Sequence, residues 1–228
     1  MGGAALGAGV SSGPTPVVPG SLGVFGGTFD PIHFAHLAVA QEAAETLGLE
    51  RVLFVPAGQP PHKPDRIITS GEDRLAMVEL AIAGNARFVV DRLELDRAGP
   101  SYTVDTLEAL GSRSVAGASP TLTLILSSEA FRQLPTWREP RRILALACLA
   151  VAPREGYPPV STSVMDQAFP EFRDRVTYLD GPRMRLSASE LRLRAAAGRT
   201  LRYLVPDAVA AYIDDHGLYR TPRRNPES

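Results

Sequence analysis

The chain is poor in residues that mark several protein classes. It has one cysteine, Cys148, in 228 residues. That excludes an intrachain disulfide and any metal site built on several thiolates. Cys148 lies in an apolar run, residues 144–152, where a thiol acts as a small inert hydrophobe. There is one lysine, Lys63, against 23 arginines. Neither sign of charge is in excess: the formal net charge is −1. A protein held to nucleic acid or to an anionic membrane by a general positive field is therefore not expected. No apolar run is long enough to span a bilayer. The first 29 residues carry no charged side chain, yet they lack the basic start and continuous apolar core of a secretory leader. A reducing, cytoplasmic setting is the expectation. No Gly-x-x-x-x-Gly-Lys-Ser/Thr segment occurs, which excludes a P-loop enzyme. No Gly-x-Gly-x-x-Gly follows the first predicted strand, which argues against a dinucleotide-dependent oxidoreductase.

What is present suffices for a real core: 44% of residues are hydrophobic. Six glycines and three prolines in positions 1–20 predict a tail. Leu22–Phe25 reads as a strand running into Gly26-Gly27-Thr28. Apolar spacing through Leu37, Ala40, Ala44 and Leu47 predicts a helix from His33 to Leu47. Arg51–Val55 reads as a buried strand, followed by a proline-rich loop, residues 56–64. Ser70 with Asp73 caps a helix to Gly84, whose apolar side is Leu75, Val78, Leu80 and Ile82. Strands are predicted at Phe88–Leu95, Thr121–Leu126, Cys148–Ala152 and Val176–Leu179. Helices are predicted at Thr103–Leu110, Ser128–Leu134, Arg138–Leu146, Ser187–Ala197 and Pro206–His216. Alternating strands and helices imply right-handed crossovers and a doubly wound parallel α/β sheet. The expected layout is one domain over residues 21–219, with tails at 1–20 and 220–228. Ligands of such sheets bind beyond the carboxyl ends of the strands. The candidate loops are thus 26–33, 57–63, 127–129 and the approach to Ser187.

Four segments carry chemistry. In Gly26-Gly27-Thr28-Phe29-Asp30-Pro31-Ile32-His33-Phe34-Ala35-His36, two glycines let backbone approach a ligand closely. The helix start offers unpaired N–H groups and a positive dipole end, a natural phosphate site. His33 and His36, three apart, share one face of the first turn, and a protonated ring would add charge where a transition state gains it. A histidine-bound zinc would need a third ligand, and His62 is the only other histidine nearby. In Pro60-Pro61-His62-Lys63-Pro64, a stiff loop can hold one ammonium against a polyphosphate. In Leu186–Arg192, Ser187 and Glu190 form the pattern of a capping box. Six arginines against Glu190 make residues 183–202 locally +5, a second anion site. In Pro135-Thr136-Trp137-Arg138, the one tryptophan is either core packing or a stacking surface for a ring. Pro100-Ser101-Tyr102-Thr103 is a helix start that can also offer N–H groups to a carboxylate.

Taken in order, these segments, with His216-Gly217-Leu218-Tyr219 at the end, resemble the nucleotidyltransferases with the His-x-Gly-His signature, and among them the bacterial nicotinate-mononucleotide adenylyltransferases. The resemblance spans about Leu22 to Tyr219. It implies a Rossmann-like α/β sheet with helices on both faces and a small C-terminal helical segment. It implies adenylyl transfer from ATP to nicotinate mononucleotide, with Mg²⁺ riding on the ATP. His33 and His36 would bind the ATP phosphates, with His36 stabilising the transition state. Gly26, Gly27, Thr28 and Phe29 would form the phosphate turn. Lys63, Ser187 and Arg192 would hold the triphosphate and the pyrophosphate. Trp137 would stack on the pyridine ring, and N–H groups around Thr103 and Arg138 would take its carboxylate. The chain departs from the signature twice: Ala35 stands for its glycine, and Ser127-Ser128-Glu129 for a Gly-x-Asp in contact with nucleotide sugar. A non-catalytic nucleotide-binding paralogue, or a preference for nicotinamide mononucleotide, is the alternative.

Overall fold

A computed structural model describes residues 15–58, 69–113, 119–156 and 162–220. In chain order the elements are β1 (Val18–Gly27), α1 (Phe34–Thr46), β2 (Leu49–Pro56), α2 (Gly71–Ile82), β3 (Phe88–Val90), α3 (Thr103–Gly111), β4 (Thr121–Ser127), α4 (Ser128–Gln133), α5 (Pro140–Leu146), β5 (Ala147–Ala152), α6 (Ser163–Ala168), β6 (Val176–Tyr178), α7 (Ala188–Ala196) and α8 (Asp207–Asp215). Short 3-10 turns follow α4 and α6. The six strands form one parallel sheet in the order β3-β2-β1-β4-β5-β6. This is the doubly wound arrangement, with strand order reversing between β1 and β4.

Two apolar clusters cover the two faces. On one, Ala40, Ala43 and Ala44 of α1 pack with Met77, Val78 and Ile82 of α2 and Val209 and Ile213 of α8. The alanine stripe has no bulk, so α1 lies close to the strands. On the other face, Leu107 and Leu110 of α3 meet Ile143 and Leu144 of α5. Gly23 sits where the sheet is tightest: a Cβ there would lie 2.9 Å from Leu49 Cδ1 and 3.1 Å from Ile125 Cδ1.

Several boundaries differ from the sequence expectation. β1 begins at Val18, four residues earlier, because Val18 pairs with Leu49 before the register shifts at Leu22. β3 is three residues long instead of eight. Asp91 takes the Leu93 N–H on its own carboxylate at 2.9 Å, and the Asp96 N–H closes on the Arg92 carbonyl, so the chain turns away from the sheet. Ser70 caps α2 as expected, accepting the Asp73 N–H at 3.1 Å. Met77, not Leu80, completes its buried side, and Leu80 is 38% exposed. α6 and the 3-10 turn after it carry no apolar period and went unread. The predicted capping box at α7 is not formed, since Ser187 makes no side-chain cap bond. Cys148 is half-buried, with an Arg175 Nη2 donor 3.9 Å from its Sγ.

Candidate functional site

The β1–β4 pairing ends at Val24 and Leu124, while β1–β2 runs on to Gly27 and β4–β5 to Ser127. The two strands therefore part at their carboxyl ends, and a cavity of about 440 Å³ opens there. Gly26 and Gly27 from β1 and Thr28 just after it, Ala35 and His36 from α1 with its N-cap His33, Ser127 from β4, Arg154 after β5, Trp137, and Ser189 and Arg192 from α7 with its N-cap Ser187 all line it. The N-termini of α1 and α7 thus converge on one space, each presenting N–H groups and a positive dipole end.

The glycines do different work. A Cβ on Gly26 would meet nothing within 4 Å, so it would project into the cavity. A Cβ on Gly27 would touch the Phe29 ring at 3.0 Å. Phe29 itself has φ 49°, a left-handed backbone costing a non-glycine residue about 1–3 kcal/mol. That turn tucks its ring under the site. The ring is 2% exposed and meets His36 edge-on, with centroids 5.2 Å apart. Phe29 was expected among the phosphate-contacting residues; its side chain is a floor, and its backbone is what it can offer the cavity.

His33 is the N-cap of α1, in extended conformation, and His36 is at its third helical position. The two rings stack with centroids 3.7 Å apart and planes 16° from parallel. His36 Nδ1 accepts the backbone N–H of His33 at 3.2 Å. In the neutral ring the proton is therefore on Nε2, leaving that atom as a donor. The His33 ring is buried, its Nδ1 has no partner, and its pKa is lowered to about 4, by burial first and by the Arg154 charge second. His36 is held well below 6.5 by burial, then by His33 and Arg154. The expected protonated histidine is thus absent from the resting site near neutrality: both rings are neutral donors.

Asp30 anchors the turn. Its carboxylate is almost wholly buried and accepts the Tyr219 hydroxyl at 2.7 Å and the Thr69 N–H at 3.4 Å. Arg192 donates to the Asp30 carbonyl at 2.5 Å and to Ser189 Oγ at 3.2 Å. Buried Arg74 donates to the Thr28 carbonyl at 2.9 Å and to the Thr69 carbonyl at 3.0 Å. Sequence reading singled out the Asp-Pro pair and Arg192 but missed that they touch, and missed Arg74 altogether.

Other sequence expectations divide. Ser127 lines the cavity and caps α4 by accepting the Ala130 N–H at 3.2 Å. Ser187 lines it with a hydroxyl that makes no capping bond. Ala35 lines it, so the extra methyl faces the ligand space. Glu129 does not line it; the carboxylate instead forms an ion pair with Arg154. With one more methylene than Asp, it reaches across to the end of β5. Trp137 lines the cavity, while Thr103 and Arg138 do not. Arg138 instead lies over the Tyr102 ring, 4.6 Å from its centroid, just before Thr103. His62 and Lys63 lie outside the described residues. Among the described residues no group of three or more His, Cys, Asp or Glu could hold a metal ion, and no helix is long and apolar enough to cross a membrane. Arg154 is the cavity residue that sequence reading overlooked. The loop after β5 lies at a strand carboxyl end beside the switch point, and that rule alone would have included it.

A 3-2-1-4-5-6 parallel sheet with two helix N-termini over its switch point defines a protein of the doubly wound class, whose ligands sit at that point. Known proteins narrow the class. The model of the cytidylyltransferase-like family matches residues 24–194. The chain is 48% identical over 200 residues to a protein of Thermomicrobium roseum named probable nicotinate-nucleotide adenylyltransferase, covering 88% of this chain and 92% of that one. It is 46% identical over 199 residues to a Roseiflexus protein of the same name, covering 87% and 98%. A nicotinic acid mononucleotide adenylyltransferase of Plasmodium falciparum, solved in complex with NaAD, superposes with a TM-score of 0.72 at 17% identity, over 87% of this chain and 97% of that one; at that identity the likeness concerns the fold. The chain belongs to the cytidylyltransferase-like family, and within it to the nicotinate-nucleotide adenylyltransferases.

Proposed function

We propose that the protein joins ATP and nicotinate mononucleotide to give nicotinate adenine dinucleotide and pyrophosphate. The observation that carries this reading is the stacked histidine pair at the start of α1, facing the N-terminus of α7 across one cavity at the switch point. The names of relatives at 46–48% identity support it. An oxygen of the mononucleotide phosphate attacks the α-phosphorus of ATP in line. The bond from that phosphorus to the bridging oxygen breaks, and pyrophosphate leaves with the electron pair. Mg²⁺ enters with ATP as part of the substrate.

The protein's part is positioning and charge. The Gly26 backbone admits the nucleotide phosphates closely. His36 Nε2–H and the ring of His33 donate to phosphate oxygens. Ser187 and the first N–H groups of α7 meet the β- and γ-phosphates, and Arg192, braced on Asp30, sets their register. Trp137 supplies a flat face for the pyridine ring. Arg138 and the start of α3, brought together through Tyr102, favour the carboxylate of the acid over the amide. Lys63 is assigned to the triphosphate.

The test is to mix the protein with ATP, Mg²⁺ and either nicotinate or nicotinamide mononucleotide, and to follow pyrophosphate and dinucleotide. Turnover with preference for the acid is expected. Preference for the amide overturns the substrate assignment. ATP binding without turnover on either acceptor overturns catalysis in favour of the paralogue reading.

A further inference from the structure

Among the described residues, two arginines line the cavity, Arg154 and Arg192. Arg192 is turned toward the protein, with Nη1 on the Asp30 carbonyl and Nη2 on Ser189 Oγ. Arg154 comes from a different wall, the segment after β5, and its charge is felt at both His33 and His36. Its Nη1 is hydrogen-bonded to Glu129 Oε2, and both side chains are 36% exposed. Glu129 itself stays off the cavity wall. A guanidinium is planar, cannot lose its proton near neutrality, and carries five donors in a fixed fork. Its bond to the Glu129 carboxylate therefore restrains the orientation of the whole fork.

We propose that Arg154 is a further catalytic residue, contacting the ATP phosphate that undergoes attack, and that Glu129 is the positioning residue that orients its guanidinium in the cavity it shares with the histidine pair. This rests on the adenylyl-transfer reading given above. The chemistry asks for such a group. Two polyanions must meet, and the stacked histidines are neutral while the site is empty. Charge on the equatorial oxygens of the α-phosphorus needs a permanent cation beside the neutral donors. Arg154 supplies it from the wall of the cavity that His36 also lines. Glu129 then has a use different from the nucleotide-sugar contact that its place in the sequence suggests. It acts on the substrate through the arginine.

The test uses the full chain and four variants: R154A, R154K, E129Q and E129A. R154A is expected to lower kcat/KM about 10²–10³-fold, as loss of one preorganised donor does. It is also expected to weaken ATP binding, measured by calorimetry without the acceptor, about tenfold or more. R154K keeps a point charge without the fork and falls between. Guanidinium ion at millimolar concentration is expected to restore part of the R154A rate and none of the wild-type rate. E129Q, which keeps size and one acceptor, should lower kcat less than E129A, with the KM for the mononucleotide unchanged in both. Circular dichroism and the urea midpoint report whether each variant is folded; R154K guards against a fold defect in R154A. If R154A and R154K both keep wild-type kcat and ATP affinity, the assignment of Arg154 is wrong while the proposed function stands. If wild type binds ATP without turnover and R154A loses that affinity, adenylyl transfer falls, and so does a catalytic role for Arg154, while its phosphate contact remains. If the Glu129 variants match wild type in kcat, the positioning role is refuted.

Discussion

The buried ring of His33 makes stability depend on acid in a way that can be worked out. Its folded-state pKa is about 4, against 6.5 in the unfolded chain. The unfolded state therefore binds more protons between those values, and stability falls as pH drops through that window. The contribution is fully present above about pH 7. Between pH 7 and pH 5 the two constants give a loss of about 2 kcal/mol, and about 3 kcal/mol once pH is below 4. His36 shifts in the same direction and adds to the effect. Urea unfolding at pH 7, 6 and 5 measures it, with H33N as the reference. H33N is expected to show a flatter dependence by about the amount just given, since a neutral amide has nothing to titrate. Nuclear magnetic resonance of the imidazole carbons reads the titration directly. A His33 titration near 6.5, or equal pH slopes for wild type and H33N, refutes the claim that the ring is desolvated and neutral. ATP reverses the balance, because a polyanion against the ring favours its charged form. Calorimetric ATP binding at pH 6 should then take up protons, seen as an enthalpy that varies with the ionisation heat of the buffer.

Three further outcomes follow from the geometry. H36A should lower kcat by about 10²–10⁴-fold, because a donor to the reacting phosphate is lost, with the urea midpoint little changed. G26V adds a side chain where a Cβ meets no protein atom and should raise the KM for ATP steeply at near-native stability; G23V drives a larger side chain into Leu49 and Ile125 and should destabilise the sheet by about 1–3 kcal/mol or more, so equal behaviour of the two would refute the placement of Gly26. Y219F removes a hydrogen bond to the buried Asp30 carboxylate and should cost about 1.5–3 kcal/mol in urea unfolding. Burial and Asp30 raise the Tyr219 pKa, so its contribution is complete below about pH 10 and is lost as pH rises beyond. The variant's alkaline limb should accordingly be flatter than that of wild type.

The turn of residues 26–36 was legible in the sequence because its determinants are local. Two glycines, an Asp-Pro step and two histidines at helical spacing act within one strand end and one helical turn. The start of α7 was legible as a helix N-terminus for the same reason, though its capping box was not realised. Residues 163–175 lacked any apolar period and gave no signal. The eight-residue strand expected after α2 failed because the Asp91 carboxylate accepts the Leu93 backbone N–H, a competition that period alone does not register.

The sequence by itself determined the alternation of strands and helices, the Gly-Gly turn into the paired histidines, the family and the candidate side chains for the cavity. The tertiary structure decided which of them meet. Arg192 bonds Asp30 across 162 positions, Tyr219 reaches Asp30 across 189, and Glu129 holds Arg154 across 25. These contacts follow from the strand order, which sets β1 beside β4 and leaves their carboxyl ends to diverge. The charge state of the histidines was decided there too. Periodicity places two rings on one face, but burial and the field of an arginine from the segment after β5 hold their pKa values well below the ordinary 6.5.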